Sequence, residues 1–166
     1  MENWGNRWIN FNFSHIMYNK LTHILIIIFI SIFLTGCYDN YISSIPDYPV
    51  RLQLNLTSTY PTFRDNPNTF LIFDKPIQAT DRVGYGGVLA YVGFDGNYYA
   101  FDLTCPYEAK QNIKVTPNEL GQVVCETCGT VYDISYGIGN PVKGPAKEIL
   151  KRYKTILQGD VLYISN

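Results

Sequence analysis

The sequence predicts a small all-β domain, a sandwich or barrel of short antiparallel strands. Apolar and polar residues alternate from Val50 to Leu56, the period-two pattern of a half-buried strand. Two later pairs of apolar segments are each joined by a short turn that contains glycine, as in β-hairpins. The sequence has no heptad pattern and no internal repeat, and only residues 147–151 are expected to form a helical turn. Many short strands at close spacing favour a sandwich or barrel.

The leading segment has the pattern of an export signal. Residues 24–34 are apolar except for Ser31, and as a helix they would rise about 16 Å, too little to span a bilayer. Lys20 and His23 precede this run, and Leu-Thr-Gly-Cys37 follows it. That ending resembles the lipobox of bacterial lipoproteins. The resemblance implies cleavage before Cys37 and a covalent lipid on its thiol.

The signal predicts a division of the chain into four parts. Residues 1–16 fit no part of a signal peptide, so we expect translation to start at Met17 and the first sixteen residues to be a spurious extension. Residues 17–36 are then the signal peptide, 37–49 a polar tether containing proline, and 50–166 the β domain. We expect the domain to lie outside the cytoplasm, in the bacterial cell envelope, with the membrane and an unknown envelope protein or redox partner as its partners.

The strands are predicted in order along the domain. After the alternating strand, 57–68 contains two prolines and is expected to be a loop. The predicted strands that follow are 70–73, then 88–92 and 98–101 as a hairpin around Asp95-Gly96-Asn97, then 153–157 and 161–164 as a closing hairpin around Gln158-Gly159-Asp160.

Composition excludes several classes of function. The 13 Lys+Arg and 14 Asp+Glu residues give a net charge of -1, which lacks the basic surface that nucleic-acid binding requires. The chain has only two histidines, His15 and His23, and both precede Cys37. The mature chain would therefore lack the Ser-His-Asp and Cys-His pairings of nucleophilic catalysis. We expect no catalytic site and no enzymatic activity of the chain on its own.

Three cysteines of the domain are the candidates for a chemical site. Cys105 follows the first hairpin, and Cys125 and Cys128 form a Cys-x-x-Cys motif directly after Val123-Val124. Two loops that each present sulfur at the end of a β-segment can bring their thiols together. Such a group is typical of a soft metal ion, an iron–sulfur centre or a disulfide.

From about Val88 to its C-terminus the chain resembles the Rieske [2Fe-2S] domain family. That family has a hairpin, a Cys-x-His loop, a gap of fifteen to twenty-odd residues, and a Cys-x-x-His loop followed by glycine. Here Cys105-Pro-Tyr107 stands in the first loop, seventeen residues follow, and Cys125-x-x-Cys128-Gly stands in the second. The resemblance further implies that the hydroxyls of Thr130 and Tyr132 hydrogen-bond to cluster sulfur. Matches to the third family loop are Gly137, Pro141 and Gly144-Pro145-Ala146.

The sequence departs from the family at both histidine ligands. In the family, two cysteines hold one iron and two histidines hold the other. Tyr107 and Cys128 stand where the histidines should be, and a phenol with a pKa near 10 is a poor substitute for imidazole. A cluster held by Cys105, Cys125, Cys128 and one oxygen would be more negative and lower in potential than a Rieske centre. Export without a twin-arginine signal also argues against a cluster inserted in the cytosol.

Three functions remain open. The first is a degenerate binding or structural module in which a disulfide joins Cys105 to Cys125 or Cys128. The second is an electron-transfer protein with a modified [2Fe-2S] cluster on the same three cysteines. The third is a zinc site of three thiolates and a carboxylate such as Glu108 or Glu126.

Overall fold

Residues 42–166 fold into antiparallel strands and turns, without a helix, and this confirms the predicted all-β class. The computed structural model describes these residues and His23. Within the part described, no helix has the length and apolar character needed to cross a bilayer. The predictions for residues 1–16, for the signal peptide and for Cys37 fall outside the described residues, apart from His23. The strands are β1 (Val50–Asn55), β2 (Phe70–Phe73), β3 (Arg82–Val83), β4 (Val88–Val92), β5 (Tyr98–Asp102), β6 (Thr116–Pro117), β7 (Gln122–Val124), β8 (Val131–Asp133), β9 (Asn140–Lys143), β10 (Arg152–Gln158) and β11 (Val161–Ser165).

A seven-stranded sheet forms the larger part of the domain, in the order β2-β4-β5-β10-β11-β1-β3. Both predicted hairpins, β4–β5 and β10–β11, are confirmed, and so are the strands at β1 and β2. In β1 the alternating pattern has the expected result, because Val50, Leu52 and Leu54 are buried and Arg51 and Gln53 are exposed.

A four-stranded sheet, in the order β6-β7-β8-β9, carries the turn that holds two of the three cysteines and lies between β5 and β10 in the chain. The chain leaves the large sheet after Asp102 and returns at Lys151, and the amide of Asp102 donates a hydrogen bond to the carbonyl of Lys151 over 2.8 Å. The segment that contains the small sheet therefore begins and ends at neighbouring points of the large sheet.

Strand β4 is buried on both faces because it separates two hydrophobic cores. Val88, Ala90 and Val92 pack in the first core with the buried residues of β1 and β11. Leu89 and Tyr91 pack in the second core, which contains Cys105, Cys125 and Tyr132. The continuous apolar run of β4 is typical of a strand covered on both sides.

The helical turn predicted at residues 147–151 is not formed. Residues 147–151 have no regular secondary structure, and backbone groups of Leu150 and Lys151 bind other segments. The amide of Leu150 donates to the carbonyl of Gly139, and the carbonyl of Lys151 accepts from Asp102. Tertiary hydrogen bonds outweigh a weak local preference for helix over five residues.

Part of the predicted tether packs on the domain. Ile45 is 2% exposed, and the buried ammonium of Lys151 donates hydrogen bonds to the carbonyls of Ile45 and Pro46 and to the carboxylate of Asp47. Ser44 donates from its hydroxyl to the carbonyl of Pro106, next to Cys105. We call residues 43–49 the arm. The arm is fixed to the domain by a lysine whose role no local sequence pattern indicates.

Candidate metal centre

Two turns bring the three cysteines together. Cys105 follows β5, and Cys125 and Cys128 lie between β7 and β8. The Sγ atoms of all three lie within 4.8 Å of one another, and those of Cys105 and Cys128 are 3.7 Å apart. Cys105 and Cys125 are buried and Cys128 is half-buried, so the group has one side toward solvent. The convergence expected from the sequence therefore exists in the structure.

Both cysteine turns have the same backbone form. The carbonyl of Cys105 accepts from the amide of Ala109 over 2.9 Å, and the carbonyl of Cys125 accepts from Gly129 over 2.8 Å. Each turn thus closes with a bond between residues four apart, and its last residue has a positive φ, 49° at Ala109 and 71° at Gly129. Glycine adopts this conformation without strain, whereas alanine does not.

Two hydroxyls contact the sulfur atoms. Tyr132 Oη lies 3.6 Å from Cys105 Sγ, and Thr130 Oγ1 lies 3.1 Å from Cys128 Sγ. Both hydroxyl-bearing residues are fully buried. These are the two residues for which the sequence predicted hydrogen bonds to sulfur.

The thiols differ in acidity. Burial raises the pKa of Cys105 to about 12, although hydrogen bonds from its surroundings, including Tyr132, act the other way. Burial also raises the pKa of Cys128, but hydrogen bonds with Thr130 and with the neighbouring thiols outweigh burial and hold that pKa below its usual value. Burial, followed by the contact with Cys105, raises the pKa of Tyr132, so its phenol stays protonated and can donate to a sulfur anion.

A third turn covers Thr130 from outside. Gly144 lies so close that a Cβ atom there would be 2.5 Å from the Cα of Thr130. The amide of Ala146 donates to Thr130 Oγ1 over 3.4 Å. Gly144 and Ala146 belong to the third loop predicted from the sequence, and that loop fixes the hydroxyl that contacts Cys128.

Other predicted ligands lie outside the group. Tyr107 is 54% exposed, and the set of ligand atoms within 4.8 Å includes no carboxylate, so Glu108 and Glu126 do not complete the site. The three cysteines between residues 42 and 166 are free thiols in this structure. A sulfur–sulfur separation of 3.7 Å exceeds the roughly 2.0 Å of a disulfide bond.

A buried carboxylate beneath the first turn was not predicted. Asp102 is fully buried and accepts from the hydroxyl of Tyr153 over 2.6 Å and from the amide of Thr104 over 2.7 Å. It also accepts from the amides of Tyr85 and Gly86, each over 3.3 Å. Asp102 therefore fixes the chain immediately before Cys105. Its position at the end of an apolar strand, three residues before a cysteine, was the available signal.

The residues present do not fit a Rieske-type cluster. Such a cluster needs two imidazole ligands for its second iron, and residues 42–166 contain no histidine. Cys128, at the position of one of those histidines, instead lies 3.7 Å from Cys105. Two thiolates on one tetrahedral ion, with metal–sulfur bonds of about 2.3 Å, are about 3.8 Å apart. The spacing of this pair thus fits two thiolates that bind the same ion.

Comparison with known proteins gives little further information. No protein-family model matches the chain, and no curated protein matches it. One solved structure with some likeness is described as a complex of reduced oxygenase and oxidized ferredoxin in carbazole 1,9a-dioxygenase. The likeness covers 60% of this chain and 82% of that chain, with 17% identity and a TM-score of 0.40. This similarity is too low to assign a family or a function.

Proposed function

We propose that the chain is a lipid-anchored protein of the bacterial envelope whose Rieske-like domain binds one soft metal ion, such as Zn²⁺, through Cys105, Cys125 and Cys128. The observation that carries the proposal is the grouping of three free thiols within 4.8 Å, with one pair at 3.7 Å. Sulfur ligands select soft ions. Thiolate ligation of a single ion requires no histidine, which agrees with the composition of the domain.

The surroundings of the sulfur atoms support this proposal. Tyr132 and Thr130 each place a hydroxyl against a different sulfur, and such contacts orient ligands and stabilise their anionic form. Cys128 is half-buried, so an ion could enter from its side and retain a water molecule as a fourth ligand.

The test is a joint measurement of metal, sulfide and thiols on the anaerobically purified chain. We expect about one metal ion per chain, no acid-labile sulfide, and loss of the metal in C105S, C125S and C128S. T127A is the matched control, because it changes an exposed residue of the same turn that contributes no thiol and should retain the metal. About two irons and two sulfides per chain would refute the single-ion site and favour a modified [2Fe-2S] cluster in an electron-transfer protein.

A second candidate is the disulfide-stapled binding or structural module. The 3.7 Å between Cys105 and Cys128 favours it, because a small shift of either turn would allow a bond. A disulfide that closes the loop between these two cysteines would stabilise the folded domain by about 3 kcal/mol in the chain-entropy model. The protein would be purified once in air and once anaerobically. If both preparations lack metal and have one free thiol among the three cysteines, the result would select this candidate.

A further inference from the structure

We infer that one end of the large sheet is a docking face for an anionic lipid surface. The inference rests on the proposed lipid anchor at Cys37 and goes beyond it, because it assigns the orientation of the domain on the membrane. It starts from an uncompensated group of cations on the outer face of β1, β3 and β10.

The cations form a row across neighbouring strands. Arg51 of β1 pairs with Arg82 of β3 on one side and with Ser165 of β11 on the other. Ser165 in turn pairs with Lys154 of β10. Residues that are paired directly across antiparallel strands point to the same face, so Arg82, Arg51 and Lys154 share the outer face. Arg152, two residues before Lys154, shares it too. We call these four residues the basic row.

The basic row has no acidic counterpart on its strands. All four of its side chains are exposed, and β1, β3, β10 and β11 contain no aspartate or glutamate. Within residues 42–166, none of the four forms an ion pair. Arg82 donates to the backbone carbonyls of Ala79 and Asp81, which leaves its charge uncompensated. Like charges directly opposite each other, as at Arg51 and Arg82, are destabilising unless an anion lies against them.

Apolar side chains lie beside the cations on the same face. Tyr163 pairs with Gln53 and with Ile156, and Ile156 is 52% exposed. A face that combines Lys and Arg with an aromatic and an aliphatic side chain suits the headgroup region of a bilayer.

The arm joins the sheet at this same end, and its other end, toward Cys37, contacts Glu148 through Ser43 and Pro106 through Ser44. Its last residue precedes Val50, the carbonyl of Pro49 accepts from Gly84, and Lys151, which binds the arm, directly precedes Arg152. Only six peptide units separate Cys37 from Ser43, a reach of at most about 21 Å. A lipid on Cys37 would therefore hold the end of the sheet that carries the basic row near the membrane.

The acidic residues of the turns lie at the opposite end. Asp95 is in the β4–β5 turn and Asp160 is in the β10–β11 turn, while the basic row lies at the ends of β1, β3 and β10 that are remote from these turns. Asp160 pairs with Arg64, while Asp47 and Asp81, which lie beside the basic end, are engaged by Lys151 and by the amides of Ile77 and Gln78. The covalent reach of the anchor is the reason to assign a lipid surface to the face instead of an acidic protein.

Acylation of Lys154 tests the inference. The full chain is reconstituted into vesicles of phosphatidylcholine, with or without phosphatidylglycerol, and treated with an amine-reactive ester, and each lysine is quantified by mass spectrometry. A basic residue near an anionic surface gains about 1 kcal/mol, or about fivefold. We expect Lys154 to react at least fivefold more slowly on the anionic vesicles in low salt, and 0.5 M NaCl to abolish the difference.

Variants separate charge from fold. R51E/R82E should restore the reactivity of Lys154, whereas the charge-conserving R51K/R82K should retain its protection. R64E, a charge reversal at the acidic end, should leave the protection unchanged. Equal reactivity of wild-type Lys154 on both vesicles would overturn the inference without the need for any variant. Protection in native membranes but not on protein-free anionic vesicles would overturn it as well, and would assign the face to an acidic protein.

The same samples distinguish failure of the anchor or of the metal site. Flotation with neutral vesicles reports the anchor, and metal content reports the thiol site. A chain that floats only with anionic vesicles in low salt, with Lys154 protected, would support the docking face and refute the anchor. A chain that floats with neither vesicle would refute the docking face.

Discussion

At the scale of single residues, Tyr132 links the second core to the thiol group. Its ring is fully buried, and its hydroxyl lies 3.6 Å from Cys105 Sγ. Removing the hydroxyl and keeping the ring therefore isolates the contact with sulfur from the packing of the core.

Y132F should weaken metal binding without unfolding the domain. Loss of a hydrogen bond to a ligand typically costs 10- to 100-fold in metal affinity, whereas loss of one neutral hydrogen bond costs about 1 kcal/mol of stability. Competition with a chromophoric chelator measures the affinity, and urea denaturation measures the free energy of unfolding. Y91F is the control, because the hydroxyl of Tyr91 binds Asn68 and contacts no cysteine. Unchanged metal affinity in Y132F would contradict a role for the hydroxyl at the site.

At the scale of elements, the two cysteine turns differ in one respect. They share their closing hydrogen bond and the positive φ of their last residue, but the first turn ends in alanine and the second in glycine. The first turn therefore contains backbone strain that the second does not.

A109G should stabilise the domain, and G129A should destabilise it, each by about 1 kcal/mol. The gain in A109G arises because glycine has no Cβ to oppose a φ of 49°, although its greater freedom in the unfolded chain offsets part of the effect. Urea midpoints of the two variants measure both changes. Destabilisation by A109G would show that Ala109 does not hold this conformation in solution.

The arm is the second element with a specific expectation. K151M keeps the length of the side chain but removes the donor to the carbonyls of Ile45 and Pro46. We expect the arm to detach and the domain to lose about 1–3 kcal/mol, because the carbonyls of Ile45 and Pro46 lose their donor. Proteinase K, which has broad specificity, should then cleave within residues 43–49 faster than in wild type. K154M, a similar change at an exposed position, should leave both the cleavage rate and the stability unchanged.

At the scale of the whole molecule, the ionisation of three buried phenols lowers the stability of the fold at alkaline pH. Burial raises the pKa of Tyr91 to about 12, and it raises the pKa of Tyr132 and Tyr153 as well, with the charge of Asp102 adding to the effect at Tyr153. Below pH 10 these phenols are protonated in both the folded and the unfolded chain. Above pH 10 they ionise first in the unfolded chain, so stability is lost as the pH rises.

The urea midpoint of the metal-free protein should therefore fall steadily between pH 10 and pH 11.5. Y153F removes one of the three phenols, so it should be less stable at pH 8 but show a shallower decline above pH 10. A midpoint that stays constant from pH 8 to pH 11.5 would contradict the burial of these tyrosines.

Local patterns in the sequence predicted the class of fold and the members of the thiol group. The alternation at β1 and the glycine turns of both hairpins depend on neighbouring residues, so they can be read directly from the chain. The sequence could not reveal the hydrogen bonds from Lys151 to the arm, because these bonds join residues about a hundred positions apart. Nor could it show that Cys128 lies against Cys105 while Tyr107 points to solvent, since that depends on how two turns pack.

The paired exit and return of the chain at Asp102 and Lys151 have a consequence for engineering. Because the amide of one binds the carbonyl of the other, residues 103–150 leave and rejoin the large sheet at adjacent points. A segment with adjacent ends can be exchanged without stretching its host. The thiol-bearing segment is therefore a natural unit for transplantation into another scaffold.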